Sequence, residues 1–214
     1  MNFVNSVMIT DFFNNINSSK INYILIRNIS NELPNALQVG KDIDLLVKYN
    51  DRKKIVQFLN KNGYRKINHP LKNDLFLYGV NPFEMFNKYD VLIDLNYQLT
   101  CRSLNAGEWI PLDRKIQDSA WKNKMIHEYN QLRYFKLGIE DEFVSLISRS
   151  IFDKREFQPA YINTINQCLL NIDKENVIEK LELIFFRYTP ILFEKIQNND
   201  YNSIIESYLA FKAY

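Results

Sequence analysis

The sequence predicts an α+β fold, in which a small mixed β-sheet flanked by helices is followed by a C-terminal helical bundle. Up to about residue 115, short apolar runs rich in β-branched residues are separated by amphipathic helical segments. From about residue 139 onward, apolar residues recur at helical spacing almost without interruption. Pro159 and Pro190 lie near the starts of these later segments, where a helix tolerates proline. We therefore expect two domains, spanning residues 1–115 and 116–214.

The first half is predicted to contain two helices and four strands. Asp51 is placed to cap the second helix, and Gly63 follows it where a left-handed terminating residue is common. The predicted helices are Asn2–Ile16 and Arg52–Asn62, and the predicted strands are Tyr23–Ile26, Asp42–Val47, Leu75–Val80 and Tyr89–Leu95.

The second half is predicted to be helical because its apolar residues form four stripes at intervals of three and four. The stripes are Phe143, Leu146, Ile147 and Ile151; Ile162, Ile165, Cys168 and Leu169; Val177, Ile178, Leu181, Ile184 and Phe185; and Ile204, Ile205, Tyr208 and Leu209.

Composition excludes several classes of protein. The 27 basic and 25 acidic residues give a net charge of +2, without the basic excess typical of nucleic-acid-binding domains. Cys101 and Cys168 are too far apart in sequence for a zinc motif, and reduced thiols in a cytoplasm suit them better than a disulfide framework. No stretch approaches the roughly 18 apolar residues of a membrane span, and the N-terminal segment lacks the basic region of a signal peptide. We expect a cytoplasmic protein.

The strand at residues 42–47 carries the main functional signal. Residues two apart on a strand point to the same face, so Asp42 and Asp44 project side by side, roughly 6–7 Å apart at the backbone. Ile43, Leu45 and Val47 point to the opposite face and into the core. Two like charges on one face of a strand repel each other, and a divalent cation such as Mg²⁺ would offset that repulsion.

A third carboxylate is predicted on the strand at residues 89–95. Asp94 lies deep in its apolar run and could join Asp42 and Asp44 in a cluster that holds two metal ions about 4 Å apart. Asp90 competes for this role, because Asp90 and Asp94 would share a face of one continuous strand. The alternative is that the acidic pair marks a solvated edge strand, where charge discourages aggregation.

The segment Gly40-Lys41-Asp42-Ile43-Asp44-Leu45-Leu46-Val47 resembles the signature of the DNA polymerase β-like nucleotidyltransferase superfamily. With residues 24–28 and Leu33-Pro34, it is similar to a poorly characterised bacterial branch often associated with surface-polysaccharide genes. Segments 140–143 and 152–154 resemble the helical part of that branch. The resemblance covers about residues 20–160. It implies a nucleotidyltransferase-like N-terminal domain, in which Asp42, Asp44 and Asp94 are the metal-binding and catalytic residues, Mg²⁺ or Mn²⁺ is the cofactor and a nucleoside triphosphate is the donor.

The superfamily also has a glycine-containing turn before the aspartates, which cradles the triphosphate. Here Arg27-Asn28-Ile29-Ser30 occupies that place. Arg27 could clamp phosphate by its charge, and Ser30 could donate its hydroxyl. Asn28 lies between them, and Lys41 lies beside the metal strand, from which it could contact phosphate. These four residues are the predicted nucleotide-binding set.

The leading functional hypothesis is a metal-dependent transferase that moves a nucleoside monophosphate from a triphosphate to a hydroxyl or phosphate group of a small acceptor. The acceptor would be a sugar or polyol derivative, or an antibiotic. The missing glycine turn motivates a second hypothesis, a non-catalytic nucleotide-binding or regulatory protein such as an antitoxin. The two histidines, His69 and His127, belong to no metal-binding motif. Either could act as a general base, but surface or structural roles are favoured.

Overall fold

A computed structural model describes residues 2–70, 76–77, 79–103 and 108–213 of the chain. Its helices are α1 (Ser6–Ser18), α2 (Arg52–Lys61), α3 (Arg114–Lys122), α4 (Ile139–Ser148), α5 (Pro159–Leu169), α6 (Lys174–Phe185), α7 (Thr189–Gln197) and α8 (Tyr201–Ala210), with a π-helical turn at Arg149–Lys154. Its strands are β1 (Tyr23–Leu25), β2 (Asp42–Val47), β3 (Arg65–Ile67), β4 (Phe76–Leu77), β5 (Glu84–Lys88), β6 (Val91–Asn96), β7 (Thr100–Arg102), β8 (Glu108–Pro111), β9 (Met125–Tyr129) and β10 (Leu132–Lys136).

The chain folds into two compact units. The first comprises residues 1–99 and 124–137, and the second comprises residues 100–123 and 138–214. The units interleave along the sequence because the β9–β10 hairpin returns to the first one. The sequence predicted two domains that meet near residue 115. Compact units do not test whether domains fold independently, so that boundary stays a prediction.

A seven-stranded mixed sheet forms the centre of the first unit, in the order β3-β5-β6-β2-β1-β10-β9. β2 and β6 run parallel to each other, as do β1 and β10, and the other neighbours are antiparallel. The predicted mixed sheet is confirmed, but it is larger than expected because β3, β5, β9 and β10 also belong to it. The strand predicted at residues 75–80 lies partly outside the described residues, and β4 is the part of it that the structure describes.

The hydrophobic core of this unit lies on one face of the sheet. Ile43, Leu45 and Val47 of β2 are buried there, as the alternation predicted. Full burial of such side chains contributes about 1.5–3 kcal/mol each. α1 packs against the same core, with its apolar residues at helical spacing, and Asn5 caps it by accepting a hydrogen bond from Val7 N at 2.9 Å. The core therefore fixes which face of β2 the aspartates occupy.

α2 begins where the sequence predicted, but its cap differs. Asp51 occupies the N-cap position without making a side-chain cap hydrogen bond. Its Oδ1 instead accepts from Lys54 Nζ at 2.7 Å. Ile55 and Leu59 are buried in the core, and Gly63, just beyond the helix, adopts a φ of +83° that favours glycine.

The β9–β10 hairpin was not anticipated, because helical structure was expected after residue 115. Its two-residue turn consists of Asn130 and Gln131, which both have positive φ. That conformation suits the twist of a tight hairpin, but it is normally signalled by glycine. Because the turn has no glycine, the remaining sign of a strand in the sequence was the alternation of apolar Leu132 and Tyr134 with charged Arg133. In the structure Leu132 and Tyr134 are buried and Arg133 is exposed.

The helices of the second unit confirm the predicted helical C-terminal region. At least two members of each of the first three predicted stripes are buried, and Ile204 is the buried member of the fourth. Pro159 and Pro190 both stand in the first turn of their helices. Among the described residues, no helix is long and apolar enough to cross a membrane.

Candidate metal and nucleotide site

The acidic strand begins at a tight turn. Lys41 N donates to Gln38 O at 3.1 Å, and Gly40 has a φ of +93°, which a turn of this kind requires at its third residue. β2 follows at once with exposed Asp42 and half-buried Asp44, while Ile43 between them points into the core. The pattern predicted from the sequence is therefore present, with both carboxylates on the face away from the core.

The register of β6 on β2 brings the third carboxylate to the first two. Asp44 pairs directly with Asp94 across the two parallel strands. One ligand atom each from Asp42, Asp44 and Asp94 lies within 4.8 Å of the others. Asp90 lies outside β6, next to Tyr89, whose φ is +51° in the turn between β5 and β6. The expectation that Asp90 shares a strand face with Asp94 was wrong, because the chain reverses direction there.

The electrostatics of this cluster fit a divalent cation. Asp94 is only 7% exposed, and its Oδ1 has no hydrogen-bond partner among the described residues. Like charges directly opposite each other on neighbouring strands destabilise a sheet. Three converging carboxylate oxygens with a buried, unsatisfied acceptor are the hard ligands that Mg²⁺ and Mn²⁺ prefer. Asp42, Asp44 and Asp94 could therefore hold such an ion.

Arg27 supplies a positive charge beside the cluster. Its Nη2 lies 3.2 Å from Asp44 Oδ1. Two backbone hydrogen bonds hold this segment in place, from Ile26 N to Asp44 O at 3.0 Å and from Ile29 N to Arg27 O at 2.8 Å. The φ of Arg27 is +68°, in the region that favours glycine. The loop after β1 thus has a glycine-like backbone at Arg27, and it places a guanidinium beside the carboxylates.

The other predicted nucleotide-binding residues have contacts of their own. Asn28 donates to the Tyr134 hydroxyl at 2.9 Å and accepts from Leu33 N at 3.2 Å, so its amide stabilises the loop. Ser30 is exposed, with a φ of +60°. Lys41 Nζ lies 2.6 Å from Glu32 Oε1. A role for Asn28, Ser30 and Lys41 in binding phosphate stays a prediction.

His69 lies at the cluster, although no pattern in the sequence indicated it. Its Nε2 is 3.7 Å from Asp94 Oδ1, and its ring lies 5.7 Å from the ring of Phe83. No spacing rule links a histidine in a loop to an aspartate 25 positions later. His127 lies on β9 with its ring 5.2 Å from that of Tyr134. His69 is therefore the histidine that belongs to the candidate site.

The strand next to β6 carries a buried carboxylate that is the centre of an ionic cluster with partly exposed Arg52 and exposed Lys66. Glu84 opens β5, and its carboxylate accepts two hydrogen bonds from Arg52, at 2.7 and 2.8 Å, as well as bonds from Lys66 and Tyr97. Burial raises the pKa of Glu84, but the hydrogen bonds from Arg52, Lys66 and Tyr97 outweigh it and lower the pKa to about 2. Glu84 therefore ties β5 to α2, to β3 and to the segment after β6. β5 in turn pairs with β6 along its length, Met85 opposite Asp94.

No protein-family model matches the sequence, and no curated protein sequence matches it. Solved structures do resemble it. A structure of ANT(2")-Ia in complex with adenylyl-2"-tobramycin has a TM-score of 0.52 at 10% identity, over 83% of this chain and 95% of that one. A solution structure of the antibiotic-resistance factor ANT(2")-Ia has a TM-score of 0.50 at 10% identity, over 90% and 100%. The lincomycin-bound lincosamide antibiotic adenylyltransferase LnuA has a TM-score of 0.48 at 14% identity, over 80% and 100%. The likeness to ANT(2")-Ia confirms the predicted nucleotidyltransferase-like fold.

Proposed function

We propose that this chain is a metal-dependent nucleotidyltransferase that moves a nucleoside monophosphate from a nucleoside triphosphate to a hydroxyl or phosphate group of a small acceptor. The observation that carries the proposal is the convergence of Asp42, Asp44 and Asp94 ligand atoms to within 4.8 Å of one another. The fold supports it, since ANT(2")-Ia was solved with an adenylylated antibiotic. The positively charged Arg27 beside the carboxylates supports a phosphate-containing donor.

Asp42 and Asp44 would each bind two metal ions, and Asp94 would bind one of them. Bound Mg²⁺ or Mn²⁺ would neutralise charge on the triphosphate and lower the pKa of the attacking hydroxyl. Asp94 would accept the hydroxyl proton, for which its Oδ1, without a hydrogen bond among the described residues, is suited.

The transfer itself is a substitution at the α-phosphorus. The acceptor oxygen forms a bond to the α-phosphorus. The bond between the α-phosphorus and the oxygen that bridges to the β-phosphorus breaks. Pyrophosphate leaves with that electron pair. Arg27 would stabilise the charge on the phosphates, because its guanidinium can donate two parallel hydrogen bonds to phosphate oxygens. Asn28, Ser30 and Lys41 remain the further candidates for this contact.

Two arguments support the proposed acceptor classes. The resemblance to polysaccharide-associated proteins favours a sugar or polyol derivative. The fold shared with ANT(2")-Ia favours an antibiotic. Both kinds of molecule present hydroxyl groups, so one assay with a panel of acceptors can test both.

The experiment measures pyrophosphate release by the purified chain with Mg²⁺, each of the four ribonucleoside triphosphates and a panel of sugars, polyols and tobramycin. Mass spectrometry would identify the modified acceptor. Asp42→Asn removes one predicted metal ligand and should abolish turnover. Asp90→Asn is the matched control, because Asp90 lies in the neighbouring turn, outside the cluster. Turnover that survives Asp42→Asn would contradict the proposed site.

The competing hypothesis is a nucleotide-binding or regulatory protein that does not catalyse transfer. Thermal stabilisation by Mg²⁺ and a nucleoside triphosphate, with no pyrophosphate from any acceptor, would favour it.

A further inference from the structure

A second buried polar side chain lies near the carboxylate cluster. Asn96 is two residues beyond Asp94 on β6, so both point to the same face of the sheet. Asn96 is 4% exposed. Its Oδ1 accepts from Arg27 Nη2 at 3.2 Å, and the same nitrogen lies 3.2 Å from Asp44 Oδ1. Asn96 and the carboxylate cluster therefore share one guanidinium.

The amide nitrogen of Asn96, Nδ2, is buried and has no hydrogen-bond partner within the described part of the chain. A guanidinium only donates hydrogen bonds, so the amide oxygen faces Arg27 and the orientation of the nitrogen is fixed. Leaving a buried donor without an acceptor costs free energy, which a bound ligand carrying an acceptor would recover.

We propose that Asn96 Nδ2 and the Arg27 guanidinium form a subsite for a phosphoryl oxygen of the bound triphosphate. The inference rests on the proposed function, since it assigns part of that donor site. Arg27 makes an anionic oxygen the preferred ligand over a neutral hydroxyl. Asn96 adds a donor of fixed direction, which a flexible surface lysine such as Lys41 would not provide.

The test separates stability from binding. Asn96→Leu keeps a similar volume and removes both polar atoms, while Arg27 keeps Asp44 as a partner. Because the substitution removes an unsatisfied buried donor, the thermal midpoint of the ligand-free protein should stay equal or rise. Affinity for MgATP, measured by titration calorimetry, should fall about tenfold or more. Affinity for inorganic triphosphate with Mg²⁺ should fall by the same factor, because the contact is to phosphate.

Asn17→Leu is the matched control in the same unit. Asn17 donates to Arg133 O at 2.8 Å and accepts from the Tyr23 hydroxyl at 2.8 Å, so both of its polar atoms are satisfied. This variant should have a lower thermal midpoint and unchanged affinity. If Asn96→Leu does not fold, Asn96→Ala, which also removes the amide donor and adds no other, should show the same loss of affinity.

Three outcomes would overturn the subsite, and they differ in what else they affect. Wild-type affinity in Asn96→Leu would refute the subsite and leave the proposed function standing. A loss confined to MgATP, with inorganic triphosphate unaffected, would move the contact to the nucleoside. Absence of binding of either ligand to the wild-type protein would refute the proposed function and the subsite together.

Discussion

Replacing Glu84 by glutamine tests whether the ionic cluster around Glu84, on the strand next to β6, stabilises this fold. Glu84 is 3% exposed and accepts hydrogen bonds from Arg52, Lys66 and Tyr97. Glutamine has the same shape but cannot carry the charge, so it mimics protonated glutamate. The substitution therefore removes the charge-assisted part of the cluster and leaves its packing intact.

The pKa of Glu84 gives the size of the effect. Hydrogen bonds that outweigh burial lower this pKa from 4.5 to about 2, which corresponds to roughly 3 kcal/mol of stability at neutral pH. A lowered pKa means that the folded state binds the proton more weakly than the unfolded state. The contribution is therefore complete above about pH 4.5 and disappears as the pH falls towards 2.

The assay is urea unfolding of the wild-type protein and Glu84→Gln at several pH values between about 7 and 2.5, which bracket the two pKa values. Every other carboxylate titrates in both proteins, so the difference in the free energy of unfolding isolates Glu84. We expect a difference of roughly 3 kcal/mol at about pH 7 that shrinks steadily below about pH 4.5. A difference that is constant with pH would refute the reasoning, because it would show that the charge of Glu84 does not stabilise the folded state.

Three other substitutions test the site and the second unit. Asp42→Asn should abolish Mg²⁺-dependent nucleotide binding in calorimetry while leaving the metal-free unfolding temperature unchanged or higher, since it removes repulsion on an exposed position. Arg27→Gly should be about 1 kcal/mol more stable than Arg27→Ala in urea unfolding, because the φ of +68° strains alanine but not glycine. Asp141→Ala should cost roughly 3–5 kcal/mol by the same method, because the fully buried carboxylate lies 2.9 Å from Lys180 Nζ and its loss leaves that ammonium buried and unpaired. Unchanged stability in this last variant would show that Lys180 reaches water.

The acidic strand could be predicted because its evidence is contiguous in sequence. The first four residues of β2 alternate between aspartates and buried aliphatic residues, and period two is the strongest local sign of a half-buried strand. The strand that carries Asp94 was likewise predicted from its apolar run. The direct pairing of Asp44 with Asp94 was not, because register between distant strands depends on packing that no local pattern specifies.

The features that were missed share a dependence on distant partners. Glu84 is the first residue of a short strand, and its charged side chain argued against predicting a strand there. The three residues that donate hydrogen bonds to Glu84 lie 32, 18 and 13 positions away. The role of His69 depends on Asp94, and that of Asn96 depends on Arg27, and each of these partners lies on a different segment of the chain. Polar residues that act through tertiary contacts thus carry little signal in one sequence, in contrast to periodic apolar ones.

The same apolar residues that form the core also decide whether the carboxylates meet. A shift of β6 by one residue against β2 would turn Asp94 towards the core and place Ile93 or Leu95 beside Asp44, because successive side chains on a strand point to opposite faces. That arrangement would bury a charge and expose an aliphatic side chain, so burial of Ile93 and Leu95 excludes it. The pairing of Asp44 with Asp94 is therefore maintained by hydrophobic packing on the opposite face, and the repulsion between the two carboxylates remains for a bound cation to offset.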